Sequence, residues 1–325
     1  MEKKEKIKFS LGHMNDTNSY VVKLVFAIIA LYIGMAITIP YFFSFSNFVN
    51  TLSAMSITAI ISFGMTLVIL TGDIDLSVGS LVAMTSAMIC ALVNSGIPPF
   101  LAVLISMAMC AVFGLINAFF IAKLKITAFI ITMGTMNVAR GIAYILVGGK
   151  SQPFTAPGIR FFGTLKFFGI IPFSVVLSII LLVITWYVLK YTQFGRNVYA
   201  IGNNKETARL SGINVLKTQT IVFVIMGILS AVAGFLLTAQ AYSGIPQAGD
   251  GYELDAITAV VLGGTLMTGG SGTVIGTMLG AFIVAMVENG MNLMSVSYYY
   301  QLLVNGTIVI LAMVIAQARG KKKKK

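Results

Sequence analysis

The sequence predicts an all-α, polytopic membrane protein of about ten transmembrane helices in a single domain, 1–325. Composition is the first observation. Of 325 residues 58% are apolar and only 10% charged, where soluble domains carry roughly a quarter charged. The second is the recurrence of apolar runs of span length. A span takes about 20 residues, so ten spans take roughly 200 and leave no room for a second, soluble domain. The third is that Lys and Arg gather in alternate connections. A soluble globular domain and a disordered chain are both excluded.

Apolar runs and breakers give candidate spans at 24–43, 52–70, 76–95, 99–121, 127–147, 170–189, 218–239, 254–268, 272–292 and 299–317. The first follows a polar segment, 1–23. It exceeds the about 7–15 apolar residues of a signal peptide, and no small-residue cleavage site follows in Tyr41-Phe42-Phe43-Ser44-Phe45. It therefore reads as an uncleaved span. The eighth is short and glycine-rich, and 148–169 has room for a re-entrant piece. Most connections are short; the main exception is the long loop 190–217.

Orientation follows from the basic residues. Lys3, Lys4, Lys6, Lys8 and Lys23, Lys123 and Lys125, Lys190, Arg196, Lys205, Arg209 and Lys217, and the tail 318–325 with Arg319 and Lys321 to Lys325 fall on one side. Only Lys150, Arg160 and Lys166 fall on the other. The positive-inside rule then puts both termini and the 190–217 loop in the cytoplasm. The net charge of +12 serves topology and contact with anionic lipid rather than nucleic acid. Cys90 and Cys110 lie within apolar runs and read as packing residues. The single histidine, His13, leaves no material for a histidine metal site.

A faint internal repeat is present. Ile57-Thr58-Ala59-Ile60 echoes Ile257-Thr258-Ala259-Val260, and Thr71-Gly72 with Gly79-Ser80 echoes Thr268-Gly269 with Gly276-Thr277. Duplicated halves are common in transporters, and the span count makes these copies parallel.

Several residues carry chemistry, each with a plainer alternative. Asp73 and Asp75 join spans two and three, where carboxylates need water or partners. Asp75 either caps span three or, with Asp73, accepts hydrogen bonds from a polar solute. Arg140 and Glu288 are the deepest ionisable groups. They are either paired or line a path with Asn137, Asn289, Asn292 and Gln301, side chains that supply donors and acceptors to a hydroxylated solute. Gly272, Gly276 and Gly280 recur every four residues on one face and suit close helix packing. In the long loop, Glu206-Thr207-Ala208-Arg209-Leu210-Ser211-Gly212 reads as a short exposed helix. Asn203 or Asn204 can cap it, Glu206 can pair with Arg209 at i, i+3, and Gly212 suits the left-handed stop.

The segment from Gly64 through Thr71-Gly72-Asp73-Ile74-Asp75-Leu76-Ser77-Val78-Gly79 resembles the signature of ribose-type ABC importer permeases, which commonly reads Gly-Gly-Ile-Asp-Leu-Ser-Val-Gly. Asp73 stands in place of the second Gly. The resemblance continues through Thr132 to Met136 with Arg140-Gly141, Phe194 to Gly202, Val260 to Thr265, Asn289 to Asn292 and Tyr299 to Gln301, in the family's order. It implies a transmembrane subunit that dimerises with a second permease copy and works with a cytoplasmic ABC ATPase and an extracytoplasmic solute-binding protein. The loop also resembles the Glu-Ala-Ala-x-x-x-Gly element of such permeases, with Thr207 at the second place. That makes Gly195, Arg196, Glu206, Ala208, Arg209 and Gly212 the candidate contact with the ATPase; the plainer alternative is a solvated helix.

No nucleotide site is carried by the chain itself. Gly149-Lys150-Ser151 lacks the required glycine, since position 144 is Tyr144. ATP and Mg²⁺ are thus expected on the partner ATPase, with no catalytic residue and no cofactor here. The reading is a permease of a prokaryotic cytoplasmic membrane moving a small sugar or similar polar solute by alternating access. The alternative is an ion-coupled secondary transporter, for which intramembrane carboxylates are few. An intramembrane hydrolase has neither Gly-x-Ser-x-Gly nor His-Glu-x-x-His to stand on.

Overall fold

A computed structural model describes residues 2–154 and 157–323, with side chains for 20–154, 158–314 and 317. The basic side chains expected at 3–8, His13 and the basic tail from 318 onward lie outside the described side chains. Thirteen helices follow in order: α1 Glu2–Thr38, α2 Phe45–Leu70, α3 Val78–Asn94, α4 Pro99–Ala118, α5 Ala128–Leu146, α6 Pro157–Thr164, α7 Phe173–Tyr191, α8 Gln193–Asn203, α9 Lys205–Leu210, α10 Val215–Ala241, α11 Tyr252–Leu262, α12 Val274–Leu293 and α13 Tyr298–Lys323. A π-helical turn, Phe119–Lys123, prolongs α4. Among the described residues seven helices are long and apolar enough to cross a bilayer, and Val78–Asn94 and Tyr298–Val314 are shorter apolar ones.

Local chemistry corrects several boundaries. Span one ends at Thr38 rather than 43, because Pro40 lacks the N–H a continuing helix needs and disfavours helical geometry before it. The chain turns there, with Tyr41 at φ 63°. Span two starts seven residues earlier than expected. The Ser44 hydroxyl accepts from the Asn47 amide at 3.2 Å and caps α2 at Phe45.

The largest correction concerns the eighth span. α11 has 11 residues, about 16 Å at 1.5 Å per residue, roughly half the hydrocarbon thickness. Gly263 and Gly264 end it, the latter at φ 92°. The other half of the crossing is non-helical chain, 243–251, extended at Ser243–Gly244 and turning from 246 to 251. This strip runs antiparallel to α3: Ser243 meets Ser86, Gly244 meets Cys90, and Gly249 lies against Gly79. The broken crossing is therefore here, and the 148–169 region is built differently. That region instead holds β1 Gln152–Pro153, α6, and the pairing of β2 Lys166–Phe167 with β3 Ile171–Pro172. β1 pairs antiparallel with β4 Ser243–Gly244, tying this cap to the top of the strip.

α2 is the axis of the packing. Every residue from Met55 to Leu70 is buried, as befits a helix apolar all round, and α2 packs against α7, α10, α11 and α12. The part of α1 whose side chains are described, 20–38, is mostly exposed and touches the bundle along α12 and, through the Tyr20 hydroxyl, at the Leu262 carbonyl of α11. The two echoed segments run in the same direction, as the span count expected. The Gly270 amide donates to the Leu70 carbonyl at 3.0 Å, bringing the chain that leaves α11 to the end of α2. The small-residue face also finds its partner. Gly276 and Gly280 press on the Gly263 and Ala259 backbone with no room for a Cβ, so α12 packs on α11 within one chain. Gly272 precedes α12, which starts at Val274, and so is not on that helix face; it abuts the Thr265 side chain.

Candidate functional site

The strip 243–251 is non-helical backbone between α10 and α11, which a membrane protein tolerates only against protein or beside a wet cavity. Both conditions are met. Arg140 on α5 donates from one Nη to the carbonyls of Pro246 at 2.9 Å and Ala248 at 2.8 Å. The Ile245 amide donates to the Ser86 hydroxyl at 3.1 Å. On its other side the strip walls a cavity of about 490 Å³, lined by Thr58 on α2, Gln240 on α10, Gln247 and Gly249 on the strip, Tyr252 on α11 and Glu288 on α12, among others. The last turns of α10 and α12 place this cavity in the half of the molecule away from the 190–217 loop. Its size suits one small ligand, and amides, a phenol and a carboxyl among apolar walls suit a polar one. Glu288 also meets the Asp255 carboxyl and the Asn305 amide.

The opposite end is built around two breaks, 71–77 between α2 and α3 and 263–273 between α11 and α12. α2 stops at Leu70 and α3 starts at Val78, with a turn at Thr71-Gly72 and irregular chain between. Asp75, 1% exposed, is not the cap of α3. Its Oδ1 accepts from the Ser77 amide at 2.9 Å and the Ser77 hydroxyl at 2.6 Å, an Asx turn that aims the chain into the helix. Asn117 donates to that hydroxyl at 3.3 Å and accepts from Thr135 at 2.8 Å, so α3, α4 and α5 share one buried polar network. Asp73 faces the other way. It accepts from Lys205 at 3.1 and 3.2 Å and from Gln219 at 2.5 Å.

The long loop holds two helices where one was expected. α8 places Phe194, Val198 and Ile201 on one face, at helical spacing. Its Gly202 packs on the Leu70 carbonyl and on Gly270, where a Cβ could not fit, and its Tyr199 hydroxyl donates to the Gly272 carbonyl at 3.0 Å. α8 thus sits on the ends of both breaks. α9 follows at once. Asn204, rather than Asn203, caps it by accepting from Thr207 at 2.9 Å. Gly212, at φ 83°, closes it as a Schellman motif: Gly212 donates to the Arg209 carbonyl and Ile213 to that of Ala208, both at 3.1 Å. Ala208 is buried, whereas Glu206 and Arg209 form an exposed pair at 2.5 Å. The guanidinium, by hydrogen bond and by charge, holds the Glu206 carboxyl below its ordinary range.

A family model described as "Branched-chain amino acid transport system / permease component" matches residues 47–313. The ribose import permease protein RbsC of Bacillus subtilis (strain 168) is 41% identical over 294 residues, 89% of this chain and 90% of that protein. Its Escherichia coli (strain K12) namesake is 40% identical over 297 residues, 90% and 92% of the two chains. The L-arabinose transport system permease protein AraH of Escherichia coli (strain K12) is 37% identical over 319 residues, 98% and 96%. The chain belongs to the ribose-type ABC importer permeases. No solved structure matches it.

The remaining expected path residues of the permease divide. Glu288 lines the cavity, and Arg140 holds the strip that forms its wall. Asn289 instead exchanges two hydrogen bonds, 2.9 and 3.0 Å, with Asn47 on α2. Gln301 donates to Asn292 and to the Val296 carbonyl, each at 2.9 Å, across the α12–α13 turn. Asn137 is exposed and donates to the Met133 carbonyl of its own helix. Asp73 and Asp75 both lie in the 71–77 break, outside the cavity lining. In the loop, Gly195 packs against the Leu189 carbonyl and Arg196 reaches the Tyr191 carbonyl at 3.5 Å. The sequence reading missed Thr58, Gln240, Gln247 and Tyr252. The spacing Gly244, Pro246, Gly249, Gly251 was the available signal for the strip, since it suits neither helix nor paired strand.

Proposed function

We propose that this permease is the membrane subunit of an ATP-driven importer that moves a small sugar of the pentose class, or a similar polar solute, by alternating access. One observation carries the mechanism: α8 rests on the ends of both breaks, and α9 stands exposed immediately after it. A subunit docking on α9 therefore pushes on the two connections, 71–77 and 263–273, that join α2 to α3 and α11 to α12. The names of the ribose and arabinose relatives support the solute class, and the amide-rich cavity suits several hydroxyls without tight binding.

In this reading the docking subunit is a separate cytoplasmic ABC ATPase that holds ATP and Mg²⁺. An extracytoplasmic solute-binding protein delivers the solute on the cavity side, and a second copy of the permease completes the membrane unit. Both termini and the α8–α9 loop face the cytoplasm, consistent with the basic residues on that side. Reconstitution in vesicles with ATPase and binding protein tests it. Uptake of labelled ribose or L-arabinose is expected to require both ATP and the binding protein. Uptake by the permease alone, driven by an ion gradient, would overturn the proposal in favour of a secondary transporter.

A further inference from the structure

Asp73 occupies the place where the signature commonly has a second glycine, and it joins three elements. It belongs to the break after α2, it accepts from Lys205, the first residue of α9, at 3.1 and 3.2 Å, and it accepts from Gln219 on the first turns of α10 at 2.5 Å. The Asp73 side chain is 10% exposed and that of Lys205 48%. A carboxylate so enclosed needs donors; Gln219 is buried with it, whereas Lys205 reaches in from the exposed helix. The contact of Gly202 with Leu70 and Gly270 is steric and transmits only a push. The ion pair is an attractive link, and it joins α9 to the 71–77 break, whereas the Tyr199 hydroxyl joins α8 to Gly272.

We infer that Lys205 and Asp73 form a latch that lets α9 pull on the 71–77 break, and that this pair sets how much solute moves per ATP hydrolysed. The inference rests on the ATP-driven reading above. Both are positioning residues, since neither lies at the cavity. The Lys205 ammonium is a point charge on a flexible stem, so the link can break and reform during a cycle. Being half in water, it is also screened by salt.

The test uses the complete importer in vesicles and reads solute transported per ATP hydrolysed for Lys205→Met, Asp73→Asn, the double variant and Lys205→Arg. Each single variant is expected to lower the ratio about threefold, the scale of one partly exposed ion pair. The double variant should fall no further than either single, because both remove one interaction. Lys205→Arg should stay near wild type. Raising KCl from about 0.05 M to about 0.5 M should lower the wild-type ratio and leave Lys205→Met flat. Single variants at the wild-type ratio, or losses that multiply in the double, would overturn the latch. If Asp73→Asn fails to assemble, the comparison of Lys205→Met with Lys205→Arg and the salt series decide. Wild-type uptake that needs no ATP would remove the ATP-driven reading and the latch with it, whereas intact wild-type coupling with unaffected variants would remove the latch alone.

Discussion

Gly212 separates two kinds of sensitivity that a bulky substitution would blur. Nothing lies within 4 Å of where its Cβ would be, so a side chain there meets no neighbour within the permease. What a β-branched residue meets is the left-handed backbone, at about 1–2 kcal/mol. Gly212→Val is therefore expected to leave assembly intact and abolish solute uptake together with binding-protein-stimulated ATP hydrolysis. Gly212→Asn, which tolerates that conformation, should retain both if the stop geometry is what matters and lose both if the docked surface has no space. Uptake and phosphate release measured on the same vesicles tell these apart. The neighbouring Glu206–Arg209 pair gives a pH dependence. Its folded-state carboxyl is depressed, so its contribution is present above the ordinary carboxylate range and is lost as pH falls through the depressed value. Glu206→Gln should flatten whatever acid loss of α9 structure is seen in the wild type, as hydrogen exchange of the Thr207 to Ser211 amides would read. Arg140 makes a third case. Arg140→Gln should loosen the 245–251 strip and slow uptake severalfold while leaving the α8–α9 end unchanged, because each charged hydrogen bond to a carbonyl is worth about 1.5–3 kcal/mol; protease or exchange mapping of the strip checks it.

Among elements, the long apolar helices were legible because about 20 unbroken apolar residues admit few other folds in a membrane. The eighth crossing was not. Its apolar letters continue past Leu262 through Gly263-Gly264-Thr265-Leu266, so composition extends a helix that backbone geometry ends, and the irregular half upstream has no periodicity to find. α8 had a readable signal, since Phe194, Val198 and Ile201 fall one turn apart, but its charged neighbours made the stretch pass for loop. At the candidate site the sequence singled out Arg140 and Glu288 as the deepest ionisable groups; Glu288 lines the cavity and Arg140 holds the strip, while the most enclosed carboxyl among the described residues is that of Asp75. It offered Asn289, Asn292 and Gln301 as path groups without showing the partners they have here, Asn47 for the first and one another for the other two. Packing between α11 and α12 yields its own test. Gly276→Val and Gly280→Leu drive side chains into the Gly263 and Ala259 carbonyls, and overpacking typically costs about 1–3 kcal/mol. Lower melting temperature and yield of detergent-solubilised permease are expected for both, and not for Gly212→Asn.

The whole molecule has two functional ends joined by α2. One end carries the strip and its cavity; the other carries both breaks and the α8–α9 loop. If the basic residues orient it as proposed, single cysteines at 148 and 169 should react with an impermeant thiol reagent from outside, and cysteines at 206 and 217 only after lysis. The native Cys90 and Cys110 are buried, so they should give little background; the reverse labelling pattern would invert the map. The half-helical eighth crossing also bears on how the chain is made. The machinery that inserts a nascent polypeptide recognises segments of span length, and α11, with Glu253 and Asp255 in its first turn, falls short of one. It can enter the bilayer only beside a helix already there or arriving. A ribosome-released chain ending at 270 should therefore leave its last 30 or so residues on the side where α10 emerged, and synthesis of α12 is what draws that stretch across.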